Sequence, residues 1–213
     1  MDAHGSTHMT AAFSNTPAGE IYEVATEQRA EINGSFAAFF CRDFPANRAT
    51  NGQSAPCLLM QLRWDGEFGF PGGTVEAGES LRKACIRETE EEIGLLIRED
   101  ELSAVCSHMH MGGTYAAHLY ALELNATQML SAVRNAWKAE HNAWEGCGLI
   151  TPRISLNGGE SGSGILPFLL HSPMHYSTRN EMLLLFERFS LFDSKAISLI
   201  RSRLRSRARD SER

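Results

Sequence analysis

The stretch "GFPGGTVEAGESLRKACIRETEEEIGL", residues 69–95, decides how the rest of the chain is read. Its second half, "RETEEEIG" (87–94), puts four glutamates into five positions, 88 to 92. Such a run is ordinarily a solvated helix face. Glu88 and Glu92 nevertheless stand at i,i+4, where like charges cost roughly 0.2–0.5 kcal/mol per pair. The residues around the run explain why a chain would accept that repulsion. The spacing predicts a helix over residues 80–93, with Ser80 as its N-cap and Gly94 as a left-handed C-cap. On that helix Glu88, Glu91 and Glu92 share one face at i, i+3 and i+4, while Leu81, Ala84 and Cys85 form the opposite, buried face. Three converging carboxylates make a hard-oxygen cage of the kind Mg2+ or Mn2+ prefers. A bound cation relieves the repulsion. Glu90 points elsewhere, and Gly72 and Gly73 free the preceding backbone for a sharp loop and a close approach to phosphate.

Composition bounds the setting. The 213 residues are 43% hydrophobic and 22% charged, which suits one domain with a substantial core. No run of about eighteen apolar residues suggests a membrane span, and no signal peptide is visible. The five cysteines (41, 57, 85, 106 and 147) form no CxxC pair and sit mostly in apolar stretches. That fits an intracellular, reducing compartment, nucleus or cytoplasm. The net charge of −6 is not that of a general nucleic-acid binder, except at the Arg-rich end "RSRLRSRARDSER". Residues 1–19 read as a disordered head, 20–200 as a single domain and 201–213 as an Arg-rich tail, either the frayed, solvated end of a helix or an RNA-touching or nuclear-targeting segment, the first being preferred.

Strands are expected at "SFAAFFC" (35–41), "CLLMQLRW" (57–64), "ELSAVCSHM" (101–109) and "TYAAHLYALEL" (114–124). Helices follow: one capped by Asn125 and running on to Trp144, one over 178–189, and one over 193–204. Residues 46–56 and 157–164 read as loops. Strands on both sides of a central helix predict a mixed α/β sandwich.

The pattern from Gly73 through Glu79, Arg87-Glu88, Glu91-Glu92 and Gly94 to Leu95 resembles the Nudix box at all its polar and glycine positions. Thr89 stands where an aliphatic residue is usual. The stretches "LLMQLRWDGEFGFPGG", "SHMHMGGTYAAHLYALEL", "WEGCGLI" and "LPFLLHSPMHYSTRNEMLLL" extend the likeness over roughly residues 33–190. They resemble the snoRNA-decapping and inosine-diphosphatase branch of the Nudix hydrolases. The resemblance implies an α/β/α sandwich with a loop-helix-loop catalytic segment. It also implies a homodimer that needs Mg2+ or Mn2+ and cleaves a diphosphate linkage, in methylguanosine-capped RNA or in free purine nucleotides. A non-catalytic RNA-binding protein on the same fold is the contrasting reading, and the intact Glu88, Glu91 and Glu92 oppose it.

By resemblance, Glu88, Glu91, Glu92 and the backbone of Gly72 hold the metal, joined by Glu79 and by His108 beside the site. Arg87 ties the loop to the helix, and Glu145 is the general-base candidate. Phe36, Arg63, Phe70, Gly73 and Glu181 contact the substrate. Two of these depart from the branch: Phe36 replaces a base-stacking histidine, and Glu181 replaces a base-reading glutamine. Inosine specificity therefore does not carry over.

Overall fold

The computed structural model describes residues 21–45, 54–139, 148–150 and 164–211. The expected disordered head, the 157–163 part of the Gly/Ser-rich loop, and Glu145 lie outside these. Among the described residues, strands β1 (Tyr22–Val24), β2 (Ile32–Phe44), β3 (Ala55–Leu62), β4 (Phe68–Gly69), β5 (Gly72–Thr74), β6 (Ser103–His110), β7 (Tyr115–Glu123) and β8 (Gly148–Ile150) form one sheet. Its order is β1-β6-β7-β2-β3-β4, with β5 added to β2 and β8 to β3. Only the β2–β7 ladder is parallel, so the sheet is mixed.

β2 explains why its sequence reads as an almost unbroken apolar run: both of its faces are covered. Ala38 and Phe40 face one core, with Leu58, Met60 and Leu119 of neighbouring strands and the helices α3 (Ile165–His171), α4 (Thr178–Arg188) and α5 (Ser194–Ser211). Ala37, Phe39 and Cys41 face the other, with Leu59, Tyr120 and the helices α1 (Leu81–Ile93) and α2 (Ala126–Ala136). The result is the expected α/β/α sandwich.

Several boundaries differ from the sequence reading for identifiable reasons. α2 begins where expected, in a reciprocal cap between Asn125 and Gln128. It stops at Ala136 rather than Trp144, because the buried series Met129, Ala132, Ala136 ends there and Trp137 is 67% exposed. β3 ends at Leu62, and Trp64 lies in the turn that follows. α3 was not legible in advance. Its Pro167 sits in the first turn, where a missing N–H leaves no intrahelical bond unmade.

The expected boundary at residue 201 falls inside α5, which continues to Ser211. Ile197, Ile200 and Leu204 bury into the core, and Arg201 forms a two-pronged pair with Glu187 of α4, at 3.0 and 2.8 Å. The first arginines of the tail are therefore part of a packed helix. None of the described helices is long and apolar enough to cross a membrane.

Candidate active site

The catalytic segment is built by two glycines and two caps. β5 pairs with β2 so that Gly72 stands opposite Phe36 and Gly73 opposite Ser35. Gly72 adopts φ +140°, and a Cβ there would lie 2.2 Å from the Ser35 carbonyl oxygen. Only glycine fits. Its N–H donates to Oε2 of Glu92 at 2.8 Å. At Gly73 an added Cβ would lie 2.6–2.7 Å from all three atoms of the Glu88 carboxylate. The bare backbone of Gly73 is what lets Glu88 lie against the loop.

α1 is capped as its sequence predicts. The Ser80 hydroxyl accepts from the Lys83 N–H at 3.1 Å, and Gly94, at φ 61°, donates its N–H to the Glu90 carbonyl. Ser35 donates its hydroxyl to the Leu81 carbonyl, tying β2 to the start of the helix. Thr89, at the box's aliphatic position, is fully buried and donates its hydroxyl to the Cys85 carbonyl at 2.7 Å. Its polar group is thus satisfied within the helix and its methyl is free to pack.

Arg87 is the hub of the acidic face. Its guanidinium donates to both oxygens of Glu79 at 3.2 Å, to Glu88 at 2.8 Å, to Glu91 at 3.1 Å and to the Thr74 carbonyl at 3.0 Å. This one side chain joins β5, the loop after it and the helix. The Arg87 hydrogen bonds hold the Glu79 carboxyl below the usual glutamate range, against the opposing effect of burial. Glu92 is not a surface carboxylate: it is 2% exposed, because its side chain turns under the loop to meet Gly72.

With Glu79, Glu88 and Glu91 gathered around a single guanidinium, and Glu92 bonded to the Gly72 N–H, the segment offers an all-oxygen, net-negative donor set. That set, and a loop cleared of side chains at Gly72 and Gly73, fit a hard divalent cation.

A second region opens beside this one. Phe36, Arg63, Phe70 and Glu181, four of the five residues assigned to substrate, line a single cleft that is open to solvent. The fifth, Gly73, is in β5, next to the Gly72 that pairs with Phe36. Tyr115, His175, Tyr176 and Ser177 also line the cleft and were missed, since nothing in their local pattern marks them. Arg63 is fixed at the cleft by Asp65 at 3.1 Å, and Asp65, Glu67 and His175 gather beside it. Burial lowers the His175 pKa, and its Nδ1 lies 2.9 Å from Glu67 Oε2.

Glu181 is 4% exposed. The Ser177 hydroxyl donates to its Oε1 at 2.7 Å, and Nδ1 of His108 lies 3.5 Å from the same oxygen. Burial pushes the Glu181 pKa up, but His108 and Ser177 outweigh it, so the carboxyl sits below the ordinary range. His108 is fully buried. At 3.5 Å it is within ion-pair range of Glu181, yet neither ring nitrogen meets hydrogen-bond geometry with any partner. The resemblance puts His108 beside the metal; here its ring approaches the Glu181 carboxylate of the cleft. Behind Ser177, His110 Nε2 lies 3.4 Å from the hydroxyl oxygen, and burial pulls the His110 pKa down to about 4.

A family described as Nudt16-like, U8 snoRNA-decapping enzyme-like, matches residues 35–191. The chain is a Nudix hydrolase of that family. Among its relatives, the U8 snoRNA-decapping enzyme of Homalodisca vitripennis is 35% identical over 133 residues, spanning 60% of this chain and 70% of that protein. The Mus musculus enzyme of the same name is 31% identical over 148 residues, 68% of this chain and 75% of its own. The Tudor-interacting repair regulator protein of Gallus gallus is 33% identical over 118 residues, but these span only 37% of that protein. A solved mutT/nudix family protein from Listeria innocua aligns over 76% of this chain and 96% of its own, with TM-score 0.51 and 16% identity. That likeness shows the shared fold. The hydrolase keeps every box carboxylate, so the sequence expectation of a Nudix enzyme acting on a diphosphate linkage stands.

Proposed function

We propose that this hydrolase decaps RNA, adding water across a P–O–P bridge to release a nucleoside diphosphate and RNA with a 5′-monophosphate. The observation that carries the reading is the juxtaposition across one strand ladder. Phe36, a wall of the cleft, is the register partner of Gly72 in β5, the strand that leads into the acidic segment. A nucleotide base in the cleft would have its phosphates beside Gly72, Gly73 and the α1 carboxylates. The similarity to proteins named as U8 snoRNA-decapping enzymes supports RNA as the substrate.

Glu79, Glu88, Glu91 and Glu92, with the Gly72 backbone, would hold Mg2+ or Mn2+, which when bound neutralises phosphate oxygens and lowers the pKa of an attacking water. Arg87 orients Glu79, Glu88 and Glu91 together, and Arg63 supplies positive charge to the phosphates at the mouth of the cleft. Glu145 is the proposed general base. A homodimer is part of the same proposal.

Free purine nucleoside diphosphates form the second reading. It is favoured by the concave, largely aromatic lining of the cleft, which suits a small ligand. Capped RNA set against a panel of free nucleotides, with product identity determined, separates the two. Nucleoside diphosphate released from capped RNA supports decapping. Turnover of free nucleotides alone, with capped RNA left intact, refutes it.

A further inference from the structure

We infer that the exposed face of α5 around Arg203 and Arg205 receives the phosphate backbone of the RNA body, outside the cleft. The inference rests on the reading that the substrate is RNA, and it goes on to say where the rest of that RNA lies.

Charge is divided along the chain. Residues 201–213 hold six arginines against Asp210 and Glu212, a balance of 6 − 2 = +4 in a chain of net −6, so residues 1–200 carry −6 − 4 = −10. An RNA leaving the cleft over that remainder meets like charge. Arg42, Arg63, Arg82, Arg87, Arg98 and Arg201 are each committed to a carboxylate. Arg203 and Arg205 are exposed and have no ion-pair partner among the described residues.

α5 also lies on the right side of the sheet. Its buried residues Ile197, Ile200 and Leu204 join the core that contains Phe70 and packs against Phe36, both walls of the cleft. At about 100° per residue, the exposed Ser202 falls between Arg203 and Arg205 around the helix axis, away from that buried series. Guanidinium and hydroxyl groups are the side chains that meet phosphate in nucleic-acid complexes. α5 contains no aromatic residue, so its contacts are with the backbone rather than with stacked bases. An anionic membrane is the poorer occupant, since a helix that binds one lays its apolar face into the lipid, and here that face is buried in the core.

The competing account makes these arginines complements of the helix dipole, stabilising the last turns of α5 and contacting no ligand. Arg203→Ala/Arg205→Ala would then lower Tm and leave RNA binding as it was.

Binding of the full chain to a single-stranded RNA with a 5′-monophosphate, followed by fluorescence anisotropy in EDTA at several salt concentrations, tests the inference without turnover. Each phosphate contact on a single strand contributes about −0.7 to the slope of log K against log [salt], so Arg203→Ala/Arg205→Ala is expected to flatten that slope by roughly 1.4. Arg203→Lys/Arg205→Lys is expected to restore most of it, with GDP binding unchanged in both variants. A slope unchanged in the alanine variant overturns the inference, as does wild-type affinity for a polyglutamate of equal charge that matches the affinity for RNA. Should the alanine variant fail to fold, Ser202→Glu, which sets a negative charge between the two arginines, serves in its place: weaker RNA binding supports the inference, and unchanged binding overturns it. A decapping assay that fails while the salt slope still depends on Arg203 and Arg205 refutes the proposed reaction and leaves the RNA surface standing.

Discussion

Gly73→Ala should separate the fold of this hydrolase from its chemistry. Gly73 lies in β5 and its φ is outside the left-handed region, so an alanine backbone is tolerated there. The difficulty is the methyl group, 2.6 Å from the carboxyl carbon and one oxygen of Glu88 and 2.7 Å from the other oxygen. Ordinary contact begins at 3.4 Å, so the carboxylate must retreat by at least 3.4 − 2.6 = 0.8 Å. It can do so cheaply, because it is the end of a flexible side chain. Replacing glycine also removes freedom from the unfolded chain, contributing about 0.4–1 kcal/mol of stability where the conformation is permissive. Melting temperature should therefore stay within a few degrees of wild type. Catalysis is less forgiving: a misplacement of about 1 Å costs on the order of 10²-fold, or about 2.7 kcal/mol of barrier. The assay is kcat/KM on the best substrate, with Tm measured on the same sample. A variant that folds normally and retains activity within threefold of wild type refutes the reasoning.

Two further outcomes are expected. Mn2+ or Mg2+ at a hundredfold excess over Kd should stabilise the protein by about 2.7 kcal/mol, seen as a raised Tm, and Glu91→Gln should shrink that shift; a wild-type Tm indifferent to Mn2+ counts against the cation site. Acid should destabilise the protein through His118, which is fully buried between Ser107 Oγ and Asn33 Oδ1 and whose pKa burial lowers from 6.5 to about 4. The unfolded chain takes up that proton first, so the contribution is complete above about pH 6.5 and declines toward pH 4, by roughly 3 kcal/mol in all. Urea denaturation from pH 7 to 4.5 should show the decline in wild type and a shallower one in His118→Gln; parallel curves would remove His118 as a cause.

What the sequence disclosed was whatever is encoded locally. The caps at Ser80 and Gly94, the shared face of Glu88 and Glu91, and the two-sided burial of β2 all follow from spacing along one element. The end of α2 was misplaced because alanines and tryptophans keep a helical pattern on paper past Ala136, the last of the buried series Met129, Ala132 and Ala136. Glu92 is on the acidic face by periodicity, yet its burial depends on Gly72, twenty residues away in the chain. The contact between His108 and Glu181 joins β6 to α4, a pairing no local pattern records. The same is true of Tyr115 and Tyr176, which become cleft walls only when β7 and the segment before α4 meet.

The pairing of Phe36 with Gly72 also sets a measure. Neighbouring strands lie about 4.7–4.9 Å apart, a spacing fixed by backbone hydrogen bonds rather than by mobile side chains. A base resting on Phe36 and phosphates lying over Gly72 and Gly73 would be gripped by two jaws of a rigid caliper. Such a caliper counts from the gripped base. A substrate with one extra phosphate in its bridge would be severed at the same bond from that end, so the added group would leave with the far fragment.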